Sequence, residues 1–208
     1  SVSVNATGGT APFTYAWAPT GGTAATATGL TAGTYTCTIT DANSCTQTQT
    51  VNIIEPTVFV TSLASQTDIT CFGSANGSAT VTESGGTGPY TYSWLPAGGT
   101  GATASGLNAG TFTCTITDGN GCSDTETVTI SEPAALAATL VSQTDVTCNG
   151  GNDGSAAVTV TGGTGTYNYG WTPTGGTGAT ASGLNAGTYT CTITDVNACV
   201  TTQTVNIT

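Results

Sequence analysis

Eight cysteines and eleven acidic side chains are the residues of this 208-residue chain that could do chemistry. The sequence has no Lys, Arg or His, so it lacks the usual general bases, Schiff-base amines and imidazole metal ligands. Paired carboxylates could hydrolyse a glycosidic bond. Asp124 and Glu126, however, have no acidic counterparts at the equivalent positions of the repeats described below. These observations predict that the chain is not an enzyme.

The charge of the chain limits its partners. A formal net charge of −11 without any cationic side chain excludes nucleic acid, whose binding relies on Lys and Arg to displace counterions. The most apolar stretch, 133–141, is too short and Ala-rich to cross a bilayer, so no membrane insertion is expected. No signal peptide is visible, and we interpret the chain as an internal piece of a longer polypeptide. Regularly spaced cysteines without His favour an oxidising, extracellular setting.

An internal repeat of 77 residues positions these side chains. Its period is marked by three tryptophans and by two sets of three cysteines, which are Trp17, Trp94 and Trp171; Cys37, Cys114 and Cys191; and Cys45, Cys122 and Cys199. Cys71 and Cys148 are also 77 residues apart. Such a period is typical of tandem copies of one small domain.

Glu-Pro steps at 55–56 and 132–133 provide natural repeat boundaries, because Pro ends a strand and stiffens a connection. Three repeats are predicted, a partial one without its first strand, a complete one and a third one, at 1–56, 57–133 and 134–208. A second division of the chain stays open, with repeats at 1–77, 78–154 and 155–208.

Alternating apolar and polar residues predict an all-β fold without helices. In the complete repeat, strands are expected at 57–64 with a short continuation at 68–71, then at 78–83, 89–95, 100–105, 111–117 and 125–131. Phe112, Cys114 and Ile116 share one strand face, opposite a face of Thr. We expect one small sandwich core in each repeat, built around its Trp. The core aromatics are Trp17, Trp94, Trp171, Tyr35, Phe112 and Tyr189.

Two local patterns resemble the immunoglobulin-like sandwich. One is the Trp of the strand at 89–95, and the other is Tyr-x-Cys after a Leu-x-Ala-Gly turn, at 30–37 and 184–191. The Tyr at this position ties its hydroxyl back to upstream backbone, which Phe112 cannot do. The usual partner cysteine across the sandwich is replaced by valine, at Val4, Val81 and Val158. The predicted fold is therefore a tandem of immunoglobulin-like antiparallel β-sandwiches, without the usual disulfide between the two sheets.

The motif of a whole repeat is more specific. In the second repeat it consists of Cys71-Phe-Gly73, Asn76-Gly-Ser78, Gly85-Gly-Thr87, Pro-Tyr-x-Tyr-x-Trp at 89–94, Leu-x-Ala-Gly-x-Phe at 107–112, Thr-Asp-x-Asn-Gly-Cys at 117–122 and Ile-x-Glu-Pro at 130–133. This motif resembles the SprB repeat of Bacteroidetes cell-surface adhesins, which is similar in appearance to PKD-type domains. The resemblance implies a giant, secreted, surface-anchored adhesin, exported by the type IX system and serving gliding motility in some members.

The resemblance also bears on the cysteines. The SprB pattern keeps counterparts of Cys71 and Cys122 and usually carries an aliphatic residue where Cys114 lies. It therefore implies disulfides within repeats, Cys71–Cys122 and Cys148–Cys199. The remaining cysteines of the strand cores, Cys37, Cys114 and Cys191, are then buried thiols.

Other cysteine pairings stay open. They are Cys71–Cys114, or the bridges between neighbouring repeats Cys45–Cys71 and Cys122–Cys148. A zinc site fits less well, because the spacing is not that of a CxxC motif. A Cys114–Cys122 bridge is rejected, because a tight turn would leave the two residues about 10 Å apart along the strand, beyond disulfide reach.

Asp41, Asp118 and Asp195 open the turn between the last two strands of each repeat. An Asx turn is the simplest role for an Asp at this position. With the Asn two residues later, each Asp could also contribute to a Ca²⁺ site, although such a site needs more oxygen ligands than these. We expect no cofactor, with calcium as the alternative.

The residues and the resemblance together predict structural stalk repeats of a secreted cell-surface adhesin. The expected partners are neighbouring repeats of the same chain, surface polysaccharide or other copies in a fibre. One alternative is an extracellular filament assembled by strand exchange, because a repeat without its first strand exposes an edge. A second alternative is a carbohydrate-binding module, whose aromatic platform would include Tyr167, Tyr169 or Trp171.

Overall fold

The computed structural model of the chain describes all 208 residues and contains seventeen β-strands and no helix. This confirms the all-β prediction. The chain divides into two compact units, Ser1–Val58 and Phe59–Thr208. The first unit contains the partial repeat, and the second contains the two other repeats.

The first unit has five strands, β1 (Val2–Ser3), β2 (Thr14–Ala18), β3 (Thr26–Ala27), β4 (Gly33–Thr40) and β5 (Thr46–Ile53). β1 pairs with β3, and β4 lies between β2 and β5 in an antiparallel sheet. Its small core consists of Trp17, Ala27, Tyr35 and Cys37.

The second repeat is a complete sandwich of six strands, β6 (Val60–Thr67), β7 (Gly77–Ser84), β8 (Thr91–Leu95), β9 (Thr103–Leu107), β10 (Gly110–Thr117) and β11 (Ser123–Ile130). One antiparallel sheet has the order β6-β7-β9, and the other has the order β11-β10-β8. Val81 of the first sheet and Cys114 of the second lie in the same buried cluster. The two sheets therefore share one core, as predicted.

The third repeat has the same architecture, with β12 (Ala137–Thr144), β13 (Gly154–Thr161), β14 (Asn168–Thr172), β15 (Thr180–Leu184), β16 (Gly187–Thr194) and β17 (Val200–Ile207). Its sheets have the orders β12-β13-β15 and β14-β16-β17. The first strand of both sandwiches carries a register shift, between Leu63 and Ser65 and between Leu140 and Ser142. The repeated shift follows from the repeated sequence.

The first strand of the second repeat lies further along the chain than the expected 57–64, and the expected continuation at 68–71 forms no strand. The reason lies in Asp68, whose carboxylate accepts a hydrogen bond from the Ser131 N–H at 3.0 Å. Beside it, the Ile69 N–H donates to the Ser131 carbonyl at 2.9 Å. These bonds tie the chain to the end of β11, where it leaves the sheet and forms a loop.

The buried Trp organises each core. In the second repeat, Trp94 Nε1 donates to the Gly101 carbonyl at 2.9 Å. Gly98 passes so close to this ring system that a Cβ there would lie 2.8 Å from the Trp94 Cβ, and its φ is 134°. Only glycine fits both conditions. Gly21 and Gly175 make the same approach to Trp17 and Trp171.

Candidate functional site

The cysteines and carboxylates of the loops lie at the two ends of each sandwich. The loop between the first two strands, called here the AB loop, spans 68–76 in the second repeat and 145–153 in the third. The turn between the last two strands, called the FG turn, spans 41–45, 118–122 and 195–199. The AB loop lies beside the far end of the last strand, whereas the FG turn lies at its start. The two elements therefore mark opposite ends of a repeat.

The FG turn is built on its first residue. Asp118 Oδ1 accepts the N–H groups of Asn120 and Cys122 at 2.9 and 2.8 Å, and Oδ2 accepts the Thr87 N–H at 3.0 Å. Burial alone would raise the pKa of the Asp118 carboxyl, but these donors, led by the Cys122 N–H, outweigh it and lower the pKa below the ordinary Asp value. The carboxylate therefore works as the Asx-turn acceptor expected from the sequence.

Asp41 and Asp195 repeat this arrangement with N–H donors at the same positions. Both oxygens of each carboxylate are thus engaged by backbone. Nowhere in the chain do three or more His, Cys, Asp or Glu side chains gather into a group that could hold a metal ion.

The AB loop is held by a side chain at its end. In the second repeat, Asn76 accepts the Thr70 N–H at 3.3 Å and donates to the Thr70 hydroxyl at 2.7 Å. In the third repeat, Asp153 accepts both the N–H and the hydroxyl of Thr147, at 3.1 and 2.6 Å. The hydroxyl and backbone of Thr147 lower the pKa of the Asp153 carboxyl. Both loops are therefore ordered within their own repeat.

The AB loop of the second repeat is joined to the FG turn of the third. A disulfide links Cys71 to Cys199, with the two Cα atoms 5.6 Å apart. Beside it, Asn197 Nδ2 donates to the Thr70 carbonyl at 3.2 Å. The junction combines a covalent bond with a side-chain hydrogen bond, so it fixes these two loops to each other.

This connection corrects the disulfides implied by the resemblance, since Cys71 is bonded to Cys199 and not to Cys122, and Cys122 and Cys148 are free. The physical reason is distance. Cys71 lies next to the end of β11 at Ser131, whereas Cys122 lies at its start, and the eight residues of β11 span about 25 Å. Neighbouring repeats are bridged, as in one of the alternatives, but the AB loop of the earlier repeat pairs with the FG turn of the later one.

The other cysteines fall into two groups. The strand cysteines Cys37, Cys114 and Cys191 are fully buried, and burial raises the pKa of each thiol. Cys45, Cys122 and Cys148 are exposed and unpaired. The first group fills the cores, and the second is accessible to reagents.

The aromatic side chains also serve the cores. Trp171 is only 5% exposed, and its Nε1 donates to the Gly178 carbonyl. Tyr167 is half-buried and donates its hydroxyl to the Gly162 carbonyl at 2.7 Å. Trp171 therefore offers no exposed face for stacking on a sugar ring.

The tyrosine corner is present in two repeats. Tyr35 donates its hydroxyl to the Thr31 carbonyl at 3.1 Å, and Tyr189 donates to the Asn185 carbonyl at 3.2 Å. Phe112 is buried at the same position without a hydroxyl.

The sequence interpretation did not identify Asn197 and Thr70 as junction residues. A signal was available, because an Asn recurs at this position of every FG turn, at Asn43, Asn120 and Asn197. Periodicity alone does not say that an Asn contacts another repeat. The contact between Gly73 and Glu132 was not predicted either. The Gly73 N–H donates to the Glu132 carboxylate at 2.7 Å, which holds the AB loop against its own repeat.

The first unit has an open groove of about 660 Å³. Its lining includes the apolar residues Val2, Val4, Phe13, Ile39 and Val51. In the second repeat, β6 covers the equivalent region by pairing with β7 and by packing against β11. The groove therefore has the location of a first strand.

Two three-stranded antiparallel sheets around a buried Trp, with a tyrosine corner in the third repeat, define the second unit as a tandem of immunoglobulin-like β-sandwiches. Residues 1–22, 63–99 and 140–176 match the family model of the SprB repeat. The chain thus contains three matches to the SprB repeat, as the resemblance implied. Repeats of this family with an immunoglobulin-like fold are extracellular and adhesin-type, and they are typically structural rather than enzymatic.

The solved structures that are similar to the chain share little sequence with it. Extracellular domains 3–5 of Drosophila OTK are 15% identical, with a TM-score of 0.32, and the match covers 85% of this chain and 70% of that one. Sidekick-1 immunoglobulin domains 1–5 are also 15% identical, with a TM-score of 0.32 and coverage of 94% and 52%. The S-layer protein rSbsC(31-844) is 16% identical, with a TM-score of 0.33 and coverage of 95% and 35%.

The chain therefore spans about half the length of the Sidekick-1 structure and about a third of the S-layer structure. No curated protein sequence matches it. The structure contains no helix that is long and apolar enough to cross a membrane.

Proposed function

We propose that the chain forms stalk repeats of a secreted cell-surface adhesin, which project an adhesive tip from the cell and mediate attachment to surfaces, including attachment during gliding. The observation that carries the proposal is the junction between Cys71 and Cys199. It joins one end of a repeat to the opposite end of the next, so the same contact can recur at every boundary of an array.

The surface chemistry supports a stalk. Its eleven acidic side chains and absence of Lys, Arg and His leave every side-chain charge negative. Neighbouring stalks of one sign repel each other, which limits lateral association. Thr side chains cover the solvent face of the long strands, for example at Thr111, Thr113 and Thr115 of β10, and they carry no charge for unspecific binding.

Immunogold electron microscopy of intact cells tests this proposal. An antibody raised against the second repeat should label thin surface fibres along their length. Pre-immune serum and adsorption of the antibody with the purified repeat are the matched controls. Label in the medium with bare cell surfaces would contradict the proposal.

A further inference from the structure

Two strands of the second unit lie outside the loop of chain that the Cys71–Cys199 disulfide closes. The closed loop contains residues 72–198, and with them all strands from β7 to β16. Within this unit, only β6 precedes the bond and only β17 follows it. A pull on the two ends of the unit therefore acts on β6 and β17, because the closed loop cannot lengthen while the disulfide is intact.

The end of β6 at which such a load enters carries a charged attachment. Through one carboxylate oxygen, Asp124 of β11 accepts both the N–H and the hydroxyl of Thr61, at 3.0 and 3.1 Å. Thr61 is the second residue of β6 and is only 8% exposed. The Thr61 N–H is the main cause that lowers the pKa of the Asp124 carboxyl, so the group is ionised at neutral pH. Hydrogen bonds to an ionised acceptor are stronger than neutral ones.

The other end of β6 is also tied to β11. Gln66 Nε2 donates to the Thr129 carbonyl at 2.8 Å, and the Asp68 carboxylate accepts the Ser131 N–H at 3.0 Å. The third repeat has both bonds at the equivalent positions of β12 and β17, which are Gln143 with Asn206 and Asp145 with Thr208. The attachment at this end is therefore common to both repeats.

The charged attachment at the start of β6 is absent from the third repeat. Thr201 takes the place of the carboxylate and Ala138 the place of the hydroxyl, so neither partner is present. Just before β12, the Gly163 N–H donates to the Ala134 carbonyl at 2.8 Å, which is a single neutral bond. The charged attachment thus occurs on the first strand that lies outside the closed loop, and not on the equivalent strand inside it.

We propose that Asp124 is a mechanical clamp that keeps β6 in its sandwich when the chain is under tension, while the disulfide shields β12 from the load. The bonds nearest to the point of pulling break first, so the clamp must open before the pairs between β6 and β7 further along the strand. The purpose of the clamp rests on the proposed stalk function. Its mechanics are measured on the purified chain, so the clamp and the stalk can fail independently.

Optical tweezers test the clamp on the full oxidised chain, which is held at constant force by handles fused to its two ends. Release of β6 lengthens the chain by at most about 40 Å, because only residues 59–70 become extended. Unfolding of the first unit, Ser1–Val58, gives a step of up to about 200 Å and is thereby distinguished. We expect Asp124→Ala to raise the rate of the short steps at least about tenfold.

Two further variants separate the clamp from general effects of mutation. Glu126→Ala removes the same charge from a half-buried position on the same face of β11, and should change the rate less than about twofold. Thr61→Val keeps the N–H donor and removes only the hydroxyl, so it should raise the rate several-fold. Circular dichroism verifies that each variant is folded, and Thr61→Val carries the test where Asp124→Ala does not fold.

A transplanted clamp tests the role of the disulfide. Ala138→Thr with Thr201→Asp supplies the third repeat with the missing pair. In the oxidised chain these changes should leave the rate of the short steps unaltered, since β12 lies inside the closed loop. In the Cys71→Ser background they should slow the unfolding of the third repeat several-fold. Unchanged rates in Asp124→Ala and Thr61→Val, or a transplanted clamp that slows the short steps of the oxidised chain, would overturn the proposal.

Discussion

Cys71 in the AB loop of the second repeat is bonded to Cys199 in the FG turn of the third, although 128 residues separate them in sequence. The segment of chain that this bond closes into a loop contains both sandwich cores, since most of each repeat lies between the two cysteines. A chain pulled at its ends is therefore held twice at this boundary, by the backbone and by the disulfide. This geometry suits a stalk under tension.

Force spectroscopy should detect the effect of the Cys71–Cys199 disulfide directly. With the disulfide intact, the residues between Cys71 and Cys199 cannot extend when the sandwiches unfold. At about 3.5 Å per residue, the released length should be about 450 Å shorter than in the Cys71→Ser variant. Addition of a reductant should remove the difference. Equal extension of oxidised chain and variant would show that the bond does not carry load.

The second repeat should become more stable when its missing tyrosine corner is restored. Phe112→Tyr places a hydroxyl where Tyr189 reaches the Asn185 carbonyl, and the equivalent acceptor here is Asn108. A net gain of about 1 kcal/mol is expected from one such hydrogen bond. Tyr189→Phe is the matched control and should lose a similar amount. Urea unfolding measures both changes, and a loss of stability in Phe112→Tyr would contradict the prediction.

Gly98→Ala should destabilise the second repeat by about 2–3 kcal/mol, because the added Cβ would lie 2.8 Å from the Trp94 Cβ and the backbone φ is unfavourable for alanine. Gly101→Ala is the control, since its Cβ would meet only ordinary contacts at 3.8 Å and beyond. Urea unfolding of the two variants should therefore differ clearly. Similar values would indicate that the turn relaxes around Trp94.

Acid should weaken the FG turns. Desolvation would raise the pKa of the Asp118 and Asp195 carboxyls in the folded state, but their backbone N–H donors outweigh it and lower the pKa. The folded pKa lies below the unfolded value of about 3.9, so the stabilisation is present above that pH and is lost as the pH falls through the folded pKa.

The Asp118→Asn variant separates this effect from general acid unfolding. It should be less stable than the natural chain at pH 7, because its amide group faces the Thr87 N–H that Asp118 accepts. The difference between the two should shrink as the pH is lowered below about 4. Thermal unfolding at several pH values measures this difference in stability. A difference that stays constant with pH would contradict a stabilising role of the ionised Asp118 carboxylate.

Thiol labelling should separate the cysteines by burial. Under reductant-free native conditions, iodoacetamide should modify Cys45, Cys122 and Cys148 within minutes and leave the buried Cys37, Cys114 and Cys191 unmodified. Burial raises the pKa of these three thiols, so the reactive thiolate is also scarce there. Intact-mass spectrometry should show three additions in the native state and six after denaturation without reduction. Native labelling of Cys114 would contradict the core assignment.

Much of a single repeat could be predicted from local pattern. Alternation in β10 places Phe112, Cys114 and Ile116 in the core, where all three are buried. The Asp118 turn was predictable because an Asx turn depends on residues within five positions. The end of β6 was not, because it depends on the hydrogen bond between Asp68 and Ser131, which are 63 residues apart.

The period, most of the strands, the tryptophan-centred cores and the motif that resembles the SprB repeat can be derived from residue types at short and regular spacing. The pairing of the cysteines follows from the tertiary structure alone. Cys71 and Cys122 belong to one repeat but lie at opposite ends of β11, whereas Cys71 and Cys199 meet where two repeats adjoin. Proximity across a boundary depends on how the sandwiches pack, and no local spacing records it.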